Sequence, residues 1–165
     1  MRVEVLGCNG GIGRDCGNSL RTTSLRVDRD ILIDTGTALA DLDLAEMALI
    51  DHIFITHSHL DHIAALPLMV DVVAEIRDRP VTIYGIEPTL KILRNHIFNW
   101  AIWPDFSEIE VRKTMAIRFQ PICVDQPLRL GERTITALPA VHAVPSVGYC
   151  LDSGKASLAF TGDTT

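Results

Sequence analysis

Three histidines and one aspartate fall within six consecutive residues, 57–62. In an extended backbone, residues two apart point the same way, so His57 and His59 can approach one ion together. The chain then turns into a predicted helix, which brings Asp61 and His62 to a second position beside the first. Imidazole nitrogen and carboxylate oxygen are ligands of zinc, and manganese and iron accept them too. The cluster therefore predicts two adjacent divalent cations.

This cluster lies on a predicted turn between a strand and a helix. Residues 52–56 form a β-branched apolar run typical of a strand, and residues 61–77 carry apolar side chains at helical spacing. Elsewhere, short β-rich runs alternate with helical ones, which predicts a single α/β domain over residues 1–165. The other predicted strands span 3–6, 24–27, 31–33, 81–84, 117–119, 134–138, 146–151 and 157–160, and a second helix spans 87–98.

The run His-Ser-His-Leu-Asp-His at 57–62 resembles the signature of the metallo-β-lactamase superfamily, His-x-His-x-Asp-His at a strand-to-helix turn. The chain contains three more motifs of that superfamily, in the order that the superfamily has them. They are Ile-Leu-Ile-Asp-Thr-Gly at 31–36, His142 after a strand, and Thr-Gly-Asp at 161–163. The resemblance implies an αββα sandwich. Because the superfamily continues past its Gly-Asp motif and this sequence ends at Thr165, we expect the C-terminal portion of the sandwich to be missing.

The resemblance also implies roles for individual residues. One metal would be held by His57, His59 and His142, and the other by Asp61 and His62. Asp163 would bridge the two metals, and Asp34 would steady a ligand or its neighbouring loop, as carboxylates commonly do beside metal-bound imidazoles. Asp61 and Asp163 would also position the attacking hydroxide. The second metal is then one protein ligand short of the usual four.

Within the superfamily, three segments resemble the class II cyclic-nucleotide phosphodiesterases and their bacterial relatives. These segments are 6–13 with 21–24, 56–67 and 96–106. The likeness implies an enzyme that hydrolyses a 3′,5′-cyclic nucleotide, such as cyclic AMP or cyclic GMP, to the 5′-monophosphate. It would use two divalent metal ions, with zinc as the first candidate. Arg21 and Thr22 could contact the phosphate, although a solvated loop is as good an interpretation. Trp100 and Trp103 could stack on the base, with a packed or oligomer-facing surface as the alternative.

Other functions remain open at this stage. Ribonuclease Z-like processing of tRNA 3′ ends shares the histidine-rich turn, and lactone or thioester hydrolysis is a lesser alternative. A third possibility is a non-catalytic, metal-binding half-domain that a partner chain completes. The sequence shows no residue that is clearly free to act as the general acid.

Composition limits these choices. The chain has 165 residues, 47% of them apolar, with 15 Lys and Arg against 21 Asp and Glu, for a net charge of −6. The negative charge disfavours an extended nucleic-acid groove. The apolar run at 63–70 is too short to span a membrane, and the first residues do not resemble a signal peptide. We therefore expect a cytoplasmic protein that acts on a small molecule without membrane contact and could form a homodimer.

Overall fold

The computed structural model describes residues 1–164, so the predicted domain end at Thr165 lies outside the described residues. This part of the chain forms fourteen short strands, four α-helices and one 3-10 helix at Thr37–Asp41. The helices are α1 (Leu44–Met47), α2 (Leu60–Ile63), α3 (Leu66–Ala74) and α4 (Glu87–His96). The strands are β1 (Val3–Gly7), β2 (Gly13–Asp15), β3 (Asn18–Leu20), β4 (Ser24–Val27), β5 (Ile31–Ile33), β6 (His52–Phe54), β7 (Val81–Gly85), β8 (Glu110–Val111), β9 (Thr114–Met115), β10 (Ile117–Pro121), β11 (Pro127–Leu130), β12 (Arg133–Pro139), β13 (Val147–Asp152) and β14 (Ser157–Phe160).

Two larger sheets organise the strands. The first has the order β1-β4-β5-β6-β7-β10. Its first three strands pair antiparallel, and β5, β6, β7 and β10 pair parallel. The second sheet, β11-β12-β13-β14, is antiparallel throughout. Two hairpins, β2–β3 and β8–β9, stand apart from both sheets. Parallel pairing brings the carboxyl ends of β5, β6 and β7 to one edge of the first sheet.

Alternation along the strands builds two cores. Leu32, Ile53 and Ile83 point to one face of the first sheet, where they pack against α3 and α4. Their neighbours Phe54 and Tyr84 point to the other face, where they pack against the second sheet. The layers are therefore helices, first sheet and second sheet. Within residues 1–164 these are three of the four layers of an αββα sandwich, which confirms the predicted fold class.

The predicted helix over 61–77 is wrong in one respect, because the structure breaks it into α2 and α3. Pro67 is the second residue of α3, and a proline further inside a continuous helix would lack an N–H and clash with the carbonyl of the preceding turn. The Ala65 N–H instead donates to the carbonyl of Thr35, at 2.9 Å. The break therefore attaches the helical segment to the loop after β5. The structure also adds strand β11 and both hairpins, which the sequence pattern did not predict.

The amino ends of the parallel strands carry an arginine–aspartate network. Arg133, at the start of β12, donates to both carboxylate oxygens of Asp30, just before β5, at 2.7 and 2.6 Å, and to Asp28 at 3.0 Å. The buried Arg77 donates to Asp51, just before β6, at 2.6 Å. The first of these groups joins the two sheets. No helix in the described part of the chain is long and apolar enough to cross a membrane.

Replacing Arg133 with alanine should reduce stability in a pH-dependent way. Hydrogen bonds from Arg133 hold the pKa of Asp30 below its usual value, against the opposing effect of burial. A lowered folded-state pKa stabilises the fold above the unfolded pKa of about 4, and this contribution is lost as the pH falls through the folded value. We expect Arg133→Ala to lose about 1 kcal/mol at pH 7 in urea unfolding, after allowance for solvent screening. The difference in unfolding free energy between the variant and wild type should narrow below about pH 4. A difference that does not change with pH, or an equal loss of stability in Arg129→Ala on neighbouring β11, would contradict this assignment.

Candidate metal centre

The centre begins at the carboxyl end of β6, where the chain leaves the sheet. Ile55 and Thr56 extend the strand, and both are fully buried. The carbonyl of Thr56 accepts a hydrogen bond from the amide of Val147, the first residue of β13, at 3.0 Å. The Tyr149 hydroxyl donates to the carbonyl of Ile55 at 2.7 Å. These two bonds hold the second sheet against the strand end that precedes His57.

Asp34, which follows β5, is fully buried directly beneath the histidine cluster. Its Oδ1 accepts from the amide of Thr56 at 2.8 Å, and its Oδ2 accepts from the hydroxyl of Thr56 at 2.8 Å. Oδ2 also lies 2.7 Å from Nδ1 of His62. The backbone of Asp34 has φ +58°, a left-handed conformation that is costly for a residue with a side chain. Three donors on this buried carboxylate offset part of its desolvation, but burial is the larger effect and raises the pKa of Asp34.

The contact with Asp34 sets the orientation and proton position of His62. With the ring proton on Nδ1 donated to Asp34, the lone pair of Nε2 is left on the opposite side of the ring. Nε2 lies 3.3 Å from Oδ1 of Asp163 and 3.6 Å from Oδ2 of Asp61. Burial opposes protonation of this ring, but the hydrogen bond to Asp34 and the nearby carboxylates outweigh it and raise the pKa of His62.

Thr56 performs the same task for His57. Since the Thr56 hydroxyl donates its hydrogen to Asp34, its oxygen can accept from Nδ1 of His57, 3.0 Å away. Nε2 of His57 then faces His59, with 3.2 Å between Nε2 and Nδ1. Burial and the neighbouring His62 ring lower the pKa of His57 to about 4. A neutral imidazole with one free lone pair is the form in which histidine binds a metal.

His142 completes this side of the centre from the loop between β12 and β13. Its Nε2 lies 3.1 Å from Nδ1 of His59, and the centroids of the two rings are 4.8 Å apart. Its Nε2 is also 3.9 Å from Oδ2 of Asp163. The loop that carries His142 and the segment that carries Asp163 therefore approach the histidine-rich turn from the second sheet.

The donor atoms form two overlapping groups. In each group the nitrogen or oxygen atoms lie within 4.8 Å of one another: His57, His59 and His142 in the first, and His57, His62 and Asp163 in the second. Imidazole nitrogens that converge at this spacing fit the preferences of zinc and similar cations. Thr56 and Asp34 hold the other ring nitrogens of His57 and His62. Asp61 falls outside both groups but lies beside the second, with its side chain 29% exposed.

Thr56 is the residue that sequence reasoning missed. The sequence pattern predicts no separate role for Thr56, yet its hydroxyl links Asp34 with His57. A hydroxyl residue at a buried strand end directly before a histidine could have indicated this, because a buried hydroxyl needs a polar partner. Neighbouring polar groups are the simplest partners for such a residue.

Two glycines allow the backbone to pass close to these side chains. A Cβ on Gly36 would lie 2.3 Å from the carbonyl oxygen of Asp61 and 2.4 Å from Oγ1 of Thr22. Gly162 has φ +60°, and a Cβ there would lie 3.2 Å from the side chain of Thr56. Gly36 therefore lets the loop after β5 pass under α2, and Gly162 lets the chain turn toward the centre just before Asp163.

Comparison with known proteins agrees with this architecture. Residues 29–165 match the family model of the beta-lactamase superfamily domain. The chain belongs to the metallo-β-lactamase superfamily. The metallo-beta-lactamase fold protein YhfI from Bacillus subtilis superimposes with a TM-score of 0.75 at 21% identity, over 98% of this chain and 61% of that one.

Two curated relatives indicate chemistry within the superfamily. A Yersinia pestis protein with the name "Probable 3′,5′-cyclic-nucleotide phosphodiesterase" is 33% identical over 119 residues, which is 70% of this chain and 33% of that protein. A ribonuclease Z from Methanococcus maripaludis is 29% identical over 132 residues, 76% of this chain and 40% of that protein. The matched segments thus span about a third to two fifths of these relatives.

The structure does not present Arg21 and Thr22 as a pair of free phosphate ligands. Arg21 donates from Nε to the Asp41 carboxylate at 3.2 Å. Thr22 is 4% exposed, and its Oγ1 accepts from the amide of Thr37 at 2.8 Å. Thr22 therefore holds the loop around Gly36, because its hydroxyl bonds to the first residue of the neighbouring 3-10 helix. The phosphate contact of Arg21 and Thr22 stays a prediction.

Trp100 and Trp103 lie at the other end of the first sheet. Helix α4 runs back from the carboxyl end of β7, so the loop after His96 reaches the amino ends of the strands. There the Ile117 amide, at the start of β10, donates to Phe106 in this loop at 3.3 Å. Trp103 packs on the core, whereas Trp100 is 62% exposed and donates to Glu108. The topology separates both tryptophans from the histidines, against the predicted base stacking.

Gly36 offers a test of the backbone crossing beneath α2. Gly36→Ala would place a methyl group against the carbonyl of Asp61, and overpacking of this kind should cost more than about 2 kcal/mol in urea unfolding. Gly10→Ala is the matched control, because a Cβ on Gly10 meets nothing within 4 Å. Equal stability of the two variants would show that the loop can shift without cost.

Asp34→Asn tests the support beneath the histidines. The amide keeps the shape of the carboxylate but offers a single acceptor oxygen and no charge to the three donors. We expect a loss of about 10–100-fold in zinc affinity, measured by competition with a chromogenic chelator. Circular dichroism would confirm that the variant is folded. Asp78→Asn is the control and should leave zinc affinity unchanged, because its side chain is 81% exposed. If Asp34→Asn binds zinc as tightly as wild type, the supporting role of Asp34 is ruled out.

Proposed function

We propose that this chain carries the dinuclear metal centre of a phosphodiesterase that converts 3′,5′-cyclic nucleotides, such as cyclic AMP or cyclic GMP, to 5′-monophosphates. The observation that carries the proposal is the pair of donor groups that overlap at His57. Two adjacent metal positions of this kind suit phosphodiester hydrolysis. The Yersinia relative supports the choice of substrate within that chemistry.

Each ligand would act from the place where the structure holds it. His57, His59 and His142 would hold one divalent cation, and His62 and Asp163, joined by Asp61, would hold the other. Asp163 is suited to serve both, because its Oδ1 faces His62 and its Oδ2 faces His142. Zinc is the first candidate, with manganese and iron as alternatives.

When bound, two such cations lower the pKa of a coordinated water and neutralise charge on the phosphodiester. The protein's own contribution is orientation. Asp34 keeps the Nδ1 proton of His62 away from the centre, and Thr56 does so for His57. Asp61 and Asp163 both lie beside Nε2 of His62, from where they would orient the nucleophile. These contacts would hold the proposed ligands in position before a substrate binds.

The decisive measurement is conversion of cyclic AMP to 5′-AMP by zinc-loaded protein, with metal counted by mass spectrometry. Wild type should contain two metals per chain. Asp163→Ala removes the carboxylate that faces both metal positions, so we expect turnover to fall by more than about 100-fold and bound metal to decrease. Asp152→Ala, at the one exposed residue of the largely buried strand β13, is the control and should retain both turnover and metal. Wild-type protein with two metals and no turnover would refute the phosphodiesterase proposal.

Ribonuclease Z activity is the second candidate, and the 29% identity with the archaeal enzyme favours it. The net charge of −6 opposes it, since RNA binders gain affinity from basic surface. Incubation of the same zinc-loaded preparation with a precursor tRNA separates the two: cleavage at the 3′ end with no turnover of cyclic AMP would establish the alternative. The homodimer and the cytoplasmic location stay predictions.

A further inference from the structure

Two large apolar side chains stand exposed directly beside the metal ligands. Leu60 follows His59 in the chain and is 67% exposed, and Val141 precedes His142 and is 68% exposed. Because Nδ1 of His59 and Nε2 of His142 are only 3.1 Å apart, the two apolar residues flank the same donor group from different segments of the chain. Only Ile12 exceeds them in exposure among the large apolar residues described as exposed.

The fold does not require an apolar side chain at position 60. Leu60 begins α2, and the apolar anchor of that short helix is Ile63, which is 4% exposed. Asp61 and His62, between them, are directed to the polar centre. An exposed leucine contributes little to stability, since the gain from an apolar side chain comes from its removal from water, at about 25 cal/mol per Å². A ligand that covers Leu60 would supply that gain.

Building on the proposed function, we propose that Leu60 and Val141 form an apolar rim that contacts the uncharged ring system of the substrate while the phosphate lies at the histidines. The rim selects small phosphodiesters that carry a flat heterocycle near the phosphate, as a 3′,5′-cyclic nucleotide does with its base. The rim places the base contact at the end of the sheet that carries the histidines, whereas both tryptophans lie at the other end.

The test compares cyclic AMP with ribose 3′,5′-cyclic phosphate, which is the same diester without the base. Leu60→Ala and Val141→Ala should each raise KM for cyclic AMP about 5- to 20-fold, the scale of a lost apolar contact in a binding pocket. In both variants kcat should stay within about twofold of wild type, since the apolar contact is made equally before and during reaction. KM for the base-free diester and the metal content should not change. Leu68→Ala, at an exposed leucine on α3, is the matched control.

An unchanged KM for cyclic AMP in both variants, or an equal rise for both substrates, would overturn the rim. Failure of the proposed function is distinguishable, because binding can be measured without turnover. Isothermal titration of 5′-AMP and ribose 5-phosphate into the zinc-loaded protein isolates the contribution of the base. If the two variants lose about 5- to 20-fold in affinity for 5′-AMP, the scale also expected for KM, and none for ribose 5-phosphate, the result supports the rim. Equal affinities for 5′-AMP in wild type and variants contradict it.

Discussion

A carboxylate without access to water is tolerated in a protein only where donors replace the lost hydration, and Asp34 is such a carboxylate. Three donors offset part of that loss, and all three belong to the segment that carries the histidines. The left-handed backbone at Asp34 is held by two other bonds, from its amide to the carbonyl of Phe54 at 2.9 Å and from the Ser24 hydroxyl to its carbonyl at 3.0 Å. The hydrogen bonds that partly compensate the burial of Asp34 therefore also fix the position of the histidine-rich turn. This explains why Thr56, which binds no metal in our assignment, is as deeply buried as the ligand next to it.

The second requirement is that two sheets meet at one strand end. Ligands from the first sheet come from a single turn after β6, whereas His142 and Asp163 follow strands of the second sheet. Hydrogen bonds from Val147 and Tyr149 to the end of β6 hold the layers together at this edge. Neither sheet alone contains both donor groups. Face-to-face packing of the sheets thus determines which residues can reach a common ion.

The sequence predicted the parts of this arrangement that depend on local pattern. The histidine-rich turn, the strand before it and the layered fold follow from residue spacing and resemblance. The helix break at Pro67 was missed because the apolar period continues across it, and only the bond from Ala65 to Thr35 shows the interruption. The tryptophans were placed by likeness alone, without the direction of α4 that carries them away. The role of Thr56 was missed because its partner Asp34 lies 22 residues away in the chain, a separation that local pattern does not reveal.

The arginine network at the amino ends of the parallel strands and the histidine centre at their carboxyl ends share the same strands but no side chains. Arg133 and Arg77 satisfy Asp30 and Asp51 at one end, while Asp34 organises the other. Along three-residue strands such as β5 and β6, this separation is only a few peptide units long. Substitutions that adapt the protein to a new temperature can therefore accumulate at one end of the sheet, while substrate preference diverges at the other.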